Sequence, residues 1–504
     1  MEENNQMNVP PPPPLKFNQP PPPPRIVQTN AGAKDGQNKC PKCGATDISL
    51  NVNTGLLRCN FCRHEFEPEK VTGLETDLSK LEGQVIGAGA RNIIADTNEV
   101  LTFKCSSCGS EVVIDTASAL QARCHWCRNT LSVNQQIPNG AVPDVVLPFQ
   151  LKKEEAKDEI QKFVRKRKFF AHPQFKKEFC TENVMGVYLP YMVIDINAHA
   201  NFAGQGEIET RRYSSGGKNN DTRYDADVYD VEREFDIVVE GLTVESSADK
   251  LNLKASNKTN NIINSIMPFD TENSVRWDAN YLKGFTSEKR DTNIDQLNTL
   301  VQTQSKDITR HKANETLKQY DRGVAWSKQE FNVKGKQWKA AYLPVWLYSY
   351  HQKDKNLLHY VAVNARTKET MGSIPINKFR LNMISALITV LGIILWMITK
   401  PYFASEEDVD LTWLFLFIGI IYYAFMHGRY RNQMARHFHE KETKSTIDNL
   451  RRKDVFVTKR TKLSAPKIKG ANNMSVEAFN FSNNALIATL QKDYMNKYEM
   501  KTNT

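Results

Sequence analysis

Length, composition and charge limit the classes of protein to which this chain can belong. Its 504 residues, 40% of them apolar, are enough for two or three domains with ordinary cores, which excludes a single small module. The formal net charge is +10, but a surplus of nine lies in segment 429–469, where 13 Lys and Arg accompany 4 Asp and Glu. The cysteine-rich segments are nearly balanced in charge, which is unfavourable for a surface that binds DNA phosphates.

The chain begins with a proline-rich arm, residues 1–38. It contains two runs of five prolines, Pro10–Pro14 and Pro20–Pro24, among Asn, Gln and Gly. Such a composition cannot form a core. We expect a disordered arm with polyproline-II character, serving as a spacer or as a docking site for a proline-binding protein.

Two cysteine-rich segments follow, 39–67 and 101–133. Each contains two CxxC pairs, and fifteen residues separate the inner cysteines in both copies. Four thiolates at this spacing bind zinc tetrahedrally and leave no position open for water, so a structural role is expected. We therefore predict two zinc ribbons with two structural Zn²⁺ ions, iron being the alternative metal. The predicted ligands are Cys40, Cys43, Cys59 and Cys62 in the first ribbon, and Cys105, Cys108, Cys124 and Cys127 in the second.

Other features of this region bear on function. Eight of the nine cysteines belong to the ribbons, and no apolar leader precedes them, which favours a reducing cytosol. Phe61 and Trp126 stand inside the trailing CxxC pairs, where each side chain either contacts a partner or packs on its own ribbon. The intervening segment 68–100 contains "VIGAGARN", but no Lys-Ser/Thr pair follows, so we predict a flexible linker instead of a phosphate loop. No catalytic triad, Walker sequence or open metal site is apparent, and we predict that the chain is not an enzyme.

Segment 134–375 has the pattern of an α+β domain. An amphipathic helix is expected within 151–170, and a longer one within 291–320. Apolar residues alternate strictly from Met192 to Phe202, and again from Tyr229 to Val239, as in half-buried strands. Two further strands surround a turn at 353–356. These elements predict a sheet that is mainly antiparallel.

Segment 376–428 has the composition of a membrane hairpin. Leu381–Thr399 and Leu411–Met426 are uncharged apolar runs on either side of an acidic loop, and each is about long enough to cross a ~30 Å hydrocarbon core. A pair of buried soluble helices is the alternative. Lys378 and Arg380 precede the first run, and Arg429 and Arg431 follow the second. The positive-inside rule then predicts a multi-pass protein of the cell membrane with both termini in the cytosol.

The remaining segment, 429–504, is predicted to be a basic cytoplasmic tail. Its cations begin directly after the second apolar run and continue through "RRKDVFVTKRTK". Anionic lipids of the inner leaflet attract nearby Lys and Arg. We therefore expect this tail to contact anionic lipid.

Several stretches resemble one bacterial family. They are "CSSCGSEVV", "VLPFQLKKEEAKDEIQKF", "GVYLPYMVIDINAHA", "IMPFDTENSVRWDANYLKGF" and "YLPVWLYSYHQKDKNLLHYVAVNARTKETMGSIP", which together cover about residues 100–375. Their order and spacing resemble the TFIIB-type zinc-ribbon membrane proteins, often labelled primosomal protein N′ or replication restart helicase-like. The resemblance implies a link to phage-shock-type membrane stress. A helicase also needs a phosphate loop and an acidic magnesium motif, and this chain has neither.

The combined expectation is a multidomain α+β protein with two tandem Cys₄ zinc ribbons, an antiparallel-sheet-rich α+β domain and a two-helix transmembrane hairpin. The leading interpretation is a non-enzymatic, membrane-anchored adaptor or scaffold that holds a cytosolic protein partner at the membrane. The alternative is a nucleic-acid-binding protein tethered to the membrane.

Overall fold

The computed structural model describes residues 24–27, 29, 40–45, 47–69, 74, 76–91, 100–104, 111–115, 123–126, 128, 136–137, 143–214, 222–246, 266–282, 284–290, 292–352, 357–403, 412–431 and 438–464. Most of the predicted proline-rich arm, the acidic loop between the apolar runs and the end of the tail lie outside the described residues, as do Cys105, Cys108 and Cys127.

The described elements confirm a mixed α+β fold. The strands are β1 (Arg25–Val27), β2 (Ile48–Leu50), β3 (Leu57–Cys59), β4 (Glu65–Phe66), β5 (Gly83–Gly87), β6 (Val100–Lys104), β7 (Glu111–Asp115), β8 (Gln136–Ile137), β9 (Val145–Val146), β10 (Met185–Ser214), β11 (Thr222–Glu245), β12 (Val275–Arg276), β13 (Thr286–Glu288), β14 (Gly323–Gln352), β15 (Leu357–Asn364), β16 (Thr370–Gly372) and β17 (Lys444–Ser464). The α-helices are α1 (Ala88–Arg91), α2 (Lys153–Arg165), α3 (Pro173–Glu178), α4 (Ile294–Glu315), α5 (Lys378–Phe403), α6 (Ile418–Arg431) and α7 (His439–Glu442). Short 3₁₀ helices span Leu78–Lys80, Thr181–Asn183, Thr271–Asn273, Ala279–Leu282 and Thr412–Phe417.

Three long antiparallel strands form the centre of the large sheet. β10 and β14 have 30 residues each and β11 has 24. β10 pairs with β11 from Tyr191 to Ser214, and with β14 from Met185 to Glu207. The alternating apolar side chains predicted between Met192 and Phe202 are fully buried, which confirms the strand.

Helix α4 covers the apolar face of these strands. The helix begins with a capping box, in which the side chains of Asn293 and Gln296 satisfy backbone amides at the helix N-terminus. Leu297, Val301 and Ile308 are buried against the alternating residues of β10 and β11. The long helix expected from the sequence is therefore confirmed.

The predicted basic tail contains a strand of the same sheet. β17 pairs with β11 in an antiparallel register from Lys444 opposite Glu240 to Ser464 opposite Arg223. Most of its side chains are exposed, as expected for an edge strand. Residues 444–464 are thus part of the α+β fold and do not form a separate tail.

The buried carboxylate of Asp144 holds part of the predicted linker and part of the predicted arm against strand β14. Asp144 accepts hydrogen bonds from the Gly89 amide (2.7 Å), the Thr29 hydroxyl (2.6 Å) and the Ala340 amide (2.8 Å). A Cβ atom at Gly87 would overlap this carboxylate. The glycines of "VIGAGARN" therefore allow close packing on Asp144, and residues 83–91 form a strand and a helical turn instead of a flexible linker.

The two predicted membrane spans differ in the structure. Among the described helices, one is long and apolar enough to cross a membrane, over the 23 residues Lys378–Lys400 of α5. The second apolar run forms the 3₁₀ helix Thr412–Phe417 followed by α6, which has 14 residues. Because a 3₁₀ turn interrupts this run, the second span is not established by helix length.

α5 and α6 pack closely through two glycines. A Cβ atom at Gly392 would overlap the carbonyl oxygen of Phe415, and one at Gly419 would overlap Thr389 and the carbonyl oxygen of Ser385. Small residues allow such close approach of apolar helices. The two segments are therefore a packed helical pair whose outer surface is mostly apolar and exposed.

The base of this helical pair is attached to the α+β domain. The buried Tyr430 accepts a hydrogen bond from the Phe170 amide through its hydroxyl (2.8 Å). The buried Arg167 donates to the carbonyl oxygen of Arg429 (3.1 Å). Leu381, at the start of α5, is also buried in the domain core. These contacts fix the helical pair relative to the sheet.

Replacing Gly392 by leucine tests the close packing of the helical pair. Because the larger side chain overlaps Phe415, Gly392→Leu is expected to destabilise the detergent-solubilised protein by about 1–3 kcal/mol. Thermal unfolding measures this change. The matched control is Ala386→Leu at an exposed position of α5, where the effect should stay within about 0.5 kcal/mol. Equal destabilisation by both substitutions would contradict the packing.

Candidate metal centre

Four cysteine sulfurs converge at one end of the three-stranded sheet β2-β3-β4. The Sγ atoms of Cys40, Cys43, Cys59 and Cys62 all lie within 4.8 Å of one another. Cys40 and Cys62 are 3.5 Å apart, and Cys43 and Cys59 are 3.6 Å apart. In a tetrahedral site with Zn–S bonds of about 2.3 Å, sulfurs are separated by about 3.8 Å. The geometry is compatible with one zinc ion held by the four predicted ligands of the first ribbon.

Two similar turns hold the sulfurs in place. In the leading turn, the Gly44 amide donates to the Cys40 carbonyl oxygen (2.9 Å), and Gly44 has φ = 70°. In the trailing turn, the Arg63 amide donates to the Cys59 carbonyl oxygen (2.9 Å), and Arg63 has φ = 59°. A positive φ suits glycine, which explains Gly44.

Short-range hydrogen bonds affect the ionisation of the thiols. Burial disfavours the thiolate of Cys40, but the amides of Cys43 and Lys42 and the thiols of Cys62 and Cys43 outweigh burial and lower the pKa of Cys40 to about 7. The amide of Ala45 favours the thiolate of Cys43, whereas burial and the neighbouring thiols raise the pKa of Cys43 to about 12. Because zinc binds thiolates, metal binding to this cluster releases protons.

The first ribbon packs against the α+β domain. Ile48 and Leu57 are buried in the same core cluster as Tyr281 of the 3₁₀ helix Ala279–Leu282. At the end of the ribbon, the Arg276 amide donates to the Glu69 carbonyl oxygen (2.8 Å), and the two side chains form an ion pair (2.9 Å). The metal centre is therefore coupled to the domain core.

The described part of the second ribbon is built into the large sheet. β6 and β7 form a hairpin, and β7 pairs with β13 through Val113 opposite Ser287. Cys124 is buried, and the Arg128 amide donates to its carbonyl oxygen (2.8 Å) with φ = 63° at Arg128. The same hydrogen bond and a similar positive φ occur between Cys59 and Arg63 in the first ribbon. Because Cys105, Cys108 and Cys127 lie outside the described residues, the second zinc ion stays a prediction.

The two aromatic residues inside the trailing CxxC pairs have opposite environments. Trp126 is 1% exposed, and its indole donates to the Glu288 carboxylate and packs edge-on against Tyr360. Phe61 is 81% exposed. Trp126 is thus a core residue, whereas Phe61 is available to a partner.

A polar groove lies on the first ribbon. Its volume is about 360 Å³, and its lining includes Arg58, Arg63 and the amide side chains of Asn51, Asn53 and Asn60. Sequence reasoning used the two arginines only to count charge. The available signal was their placement on either side of the "CNFC" turn that carries Phe61.

No family model, curated protein or solved structure matches this chain.

Metal analysis of the purified protein tests the two predicted zinc sites. We expect two zinc ions per chain, and one after Cys40→Ser, because the ribbons share no predicted ligands. Loss of the first ion should also lower the unfolding temperature, since Ile48 and Leu57 belong to the domain core. Cys180→Ser, which removes an exposed thiol outside the clusters, is the matched control and should retain both ions. One ion in the unsubstituted protein would contradict the prediction.

A second prediction concerns the two aromatic residues. Trp126→Ala should lower the free energy of unfolding by about 3–5 kcal/mol, because it leaves a cavity in the core. Phe61→Ala should change it by no more than about 0.5 kcal/mol, because the ring is exposed. Denaturant unfolding of the zinc-loaded full chain measures both values. A strong destabilisation by Phe61→Ala would show that this ring has a structural role.

Proposed function

We propose that this protein is a non-enzymatic adaptor that is anchored in the cell membrane and holds a protein partner on the cytosolic face. The observation that carries the proposal is the attachment of an apolar helical pair to a cysteine-cluster domain. Tyr430 and Arg167 join the base of α6 to the segment that follows α2. A domain attached in this way keeps a fixed position relative to its anchor.

The anchor is a two-span hairpin in this proposal. α5 is long enough to span, and its apolar side chains are exposed along much of its length. Exposed apolar surface of this extent is unfavourable in water and favourable in lipid. α6 and the preceding 3₁₀ turn return along α5, and cations at Lys378, Arg380 and Arg429 lie at the domain end. By the positive-inside rule, both termini are then cytosolic.

The partner surface is the exposed end of the first ribbon. Aromatic and arginine side chains are enriched at protein interfaces. Arg58 and Arg63 line the groove, and the exposed Phe61 directly follows Asn60 of that lining in the sequence. A Cys₄ zinc site has no open coordination position, so the ribbon offers a shaped surface and not a reactive metal. The resemblance to TFIIB-type zinc-ribbon membrane proteins suggests that the partner belongs to a membrane-stress response.

The groove of the first ribbon and the exposed Phe61 also favour a second candidate function, binding of nucleic acid. An exposed aromatic ring can stack on a base, and the two arginines could contact phosphates. Two cations give a weak counterion-release contribution compared with typical DNA-binding proteins. The adaptor function is therefore preferred.

Photo-crosslinking in cells separates these two functions. A photo-reactive amino acid in place of Phe61 should give a discrete protein adduct, and Arg58→Gln with Arg63→Gln should weaken it. The same amino acid in place of Arg451, which is exposed on β17, is the control and should not give that adduct. A nuclease-sensitive adduct, with full-chain affinity that falls with salt by about 0.9 log units per phosphate contact, would support the nucleic-acid function instead.

A further inference from the structure

Cations occur on four elements that meet at the base of the helical pair. They come from the end of α2 and the turn after it, from α3, from the start of α5 and from the end of α6. We name this group the collar; its members are Arg165, Lys166, Lys168, Lys176, Lys177, Lys378, Arg380 and Arg429. All of these side chains are exposed except Lys176, which is half-buried. The sequence predicts α2 as part of the α+β domain and α5 and α6 as the membrane hairpin, and the fold brings their ends together.

The length of α5 places the collar at the membrane surface. The 23 residues Lys378–Lys400 extend about 34 Å at 1.5 Å per residue, slightly more than a ~30 Å hydrocarbon core. Lys378 and Arg380 therefore lie at one boundary of that core. The Arg380 guanidinium lies 4.2 Å from the centre of the Phe169 ring, so the turn after α2 lies at the same level.

The collar residues of α3 and of the turn after α2 lie close to the start of α5. Lys176 donates to the Phe169 carbonyl oxygen (3.4 Å). Burial lowers the pKa of Lys176, and the nearby positive charges of Arg380 and Lys168 lower it further. Three like charges from different elements are therefore close enough to repel one another, and an anion between them would relieve that repulsion.

The collar cations and the β17 cations differ in whether they form ion pairs with carboxylates. Within the described part of the chain, no collar member forms an ion pair with a carboxylate. On β17, Lys444 pairs with Glu240 (2.9 Å), Arg451 with Glu234 (3.6 Å) and Arg460 with Glu207 (3.5 Å). Four of the seven β17 cations, Lys453 with Glu232 (3.9 Å) being the fourth, thus pair with carboxylates of β11 or β10, whereas the described collar members have no such pair.

We infer that the collar, and not β17, binds the phosphate groups of anionic phospholipids around the membrane anchor. The inference rests on the proposed membrane anchoring, which brings the collar to the headgroups. Its cations come from four separate elements, which fits several headgroups better than a single phosphate ion. Phe169 and Phe379, which are 53% and 76% exposed, lie beside the cations and pack among the lipid chains near the surface. The expectation that the basic tail contacts anionic lipid is thereby replaced for residues 444–464.

Lipid retention by the full chain tests the inference. The protein is reconstituted into vesicles of phosphatidylcholine alone, or of phosphatidylcholine mixed with phosphatidylglycerol. After mild detergent extraction, the ratio of the two lipids bound to the protein is measured. The collar variant carries Lys168→Gln, Lys176→Gln and Arg380→Gln. The control variant carries Arg451→Gln, Lys453→Gln and Arg460→Gln, and removes the same number of charges from β17. The unfolding temperature of each variant is compared with that of the parent to exclude misfolding.

The expected result is enrichment of phosphatidylglycerol by the parent and by the control variant. The enrichment should be at least about tenfold lower for the collar variant than for the parent, because each cation near the surface contributes about fivefold to anionic-lipid binding. A collar variant that keeps the enrichment, or a control variant that loses it, overturns the inference. Displacement of the lipid by inorganic phosphate at constant ionic strength overturns it in favour of a free-anion site.

The neutral vesicles separate this inference from the proposed anchoring. If the hairpin spans the bilayer, the parent, the collar variant and the control variant all stay bound to phosphatidylcholine vesicles at high salt, whatever their charge. If the parent leaves neutral vesicles but binds the mixed ones, the anchoring is wrong and the charge inference stands as surface binding. If all proteins stay inserted and the collar variant behaves as the parent, the anchoring stands and the collar inference is wrong.

Discussion

Strand β10 exchanges backbone hydrogen bonds with β11 on one side and with β14 on the other, along a path of 30 residues, or about 100 Å. Every other part of the large sheet is attached to these three strands. β14 also pairs with β5, β9 and β15, β11 pairs with β17, and β13 joins the second ribbon's hairpin to β10. The second ribbon's hairpin is therefore attached to this framework by strand pairing, whereas the first ribbon and the helical pair are attached to it through the shared apolar core. A change in the register of β10 would displace all of them.

Sequence patterns predicted those elements whose signal is local. The alternation from Met192 to Phe202, the amphipathic α4 and the CxxC spacing each follow from a single burial pattern or ligand set. β17 was missed because an edge strand exposes both faces and so has no burial period, and because its partner β11 lies some 200 residues earlier in the chain. The order of residues 83–91 was missed for a similar reason, because it depends on Asp144, which lies 55 residues beyond Gly89. Trp126 and Phe61 occupy equivalent positions in sequence, so only the packing of the second ribbon against Glu288 distinguishes them.

The distribution of charge has a different meaning in the fold than along the chain. The basic segment after α6 dominates the net charge, yet four of the seven cations of β17 pair with carboxylates of β11 or β10. The lysines after α2 are unremarkable in the sequence, where they belong to an amphipathic helix and its following turn. They become a surface feature because Tyr430 and Arg167 bring the base of the helical pair to that turn. In the proposed membrane anchoring, the charge that faces the lipid is therefore set by tertiary contacts and not by the density of Lys and Arg along the chain.

The central claim is that the helical pair crosses the membrane twice and leaves the ribbon-bearing domain in the cytosol. Labelling of a new cysteine in the acidic loop tests it most directly. Intact cells that express Glu407→Cys are treated with a membrane-impermeant maleimide, and the protein without this substitution reports background labelling of its native thiols. The account predicts labelling of Glu407→Cys in intact cells, together with protection of an N-terminal tag from external protease. Labelling that appears only after cell lysis would contradict the two-span anchor.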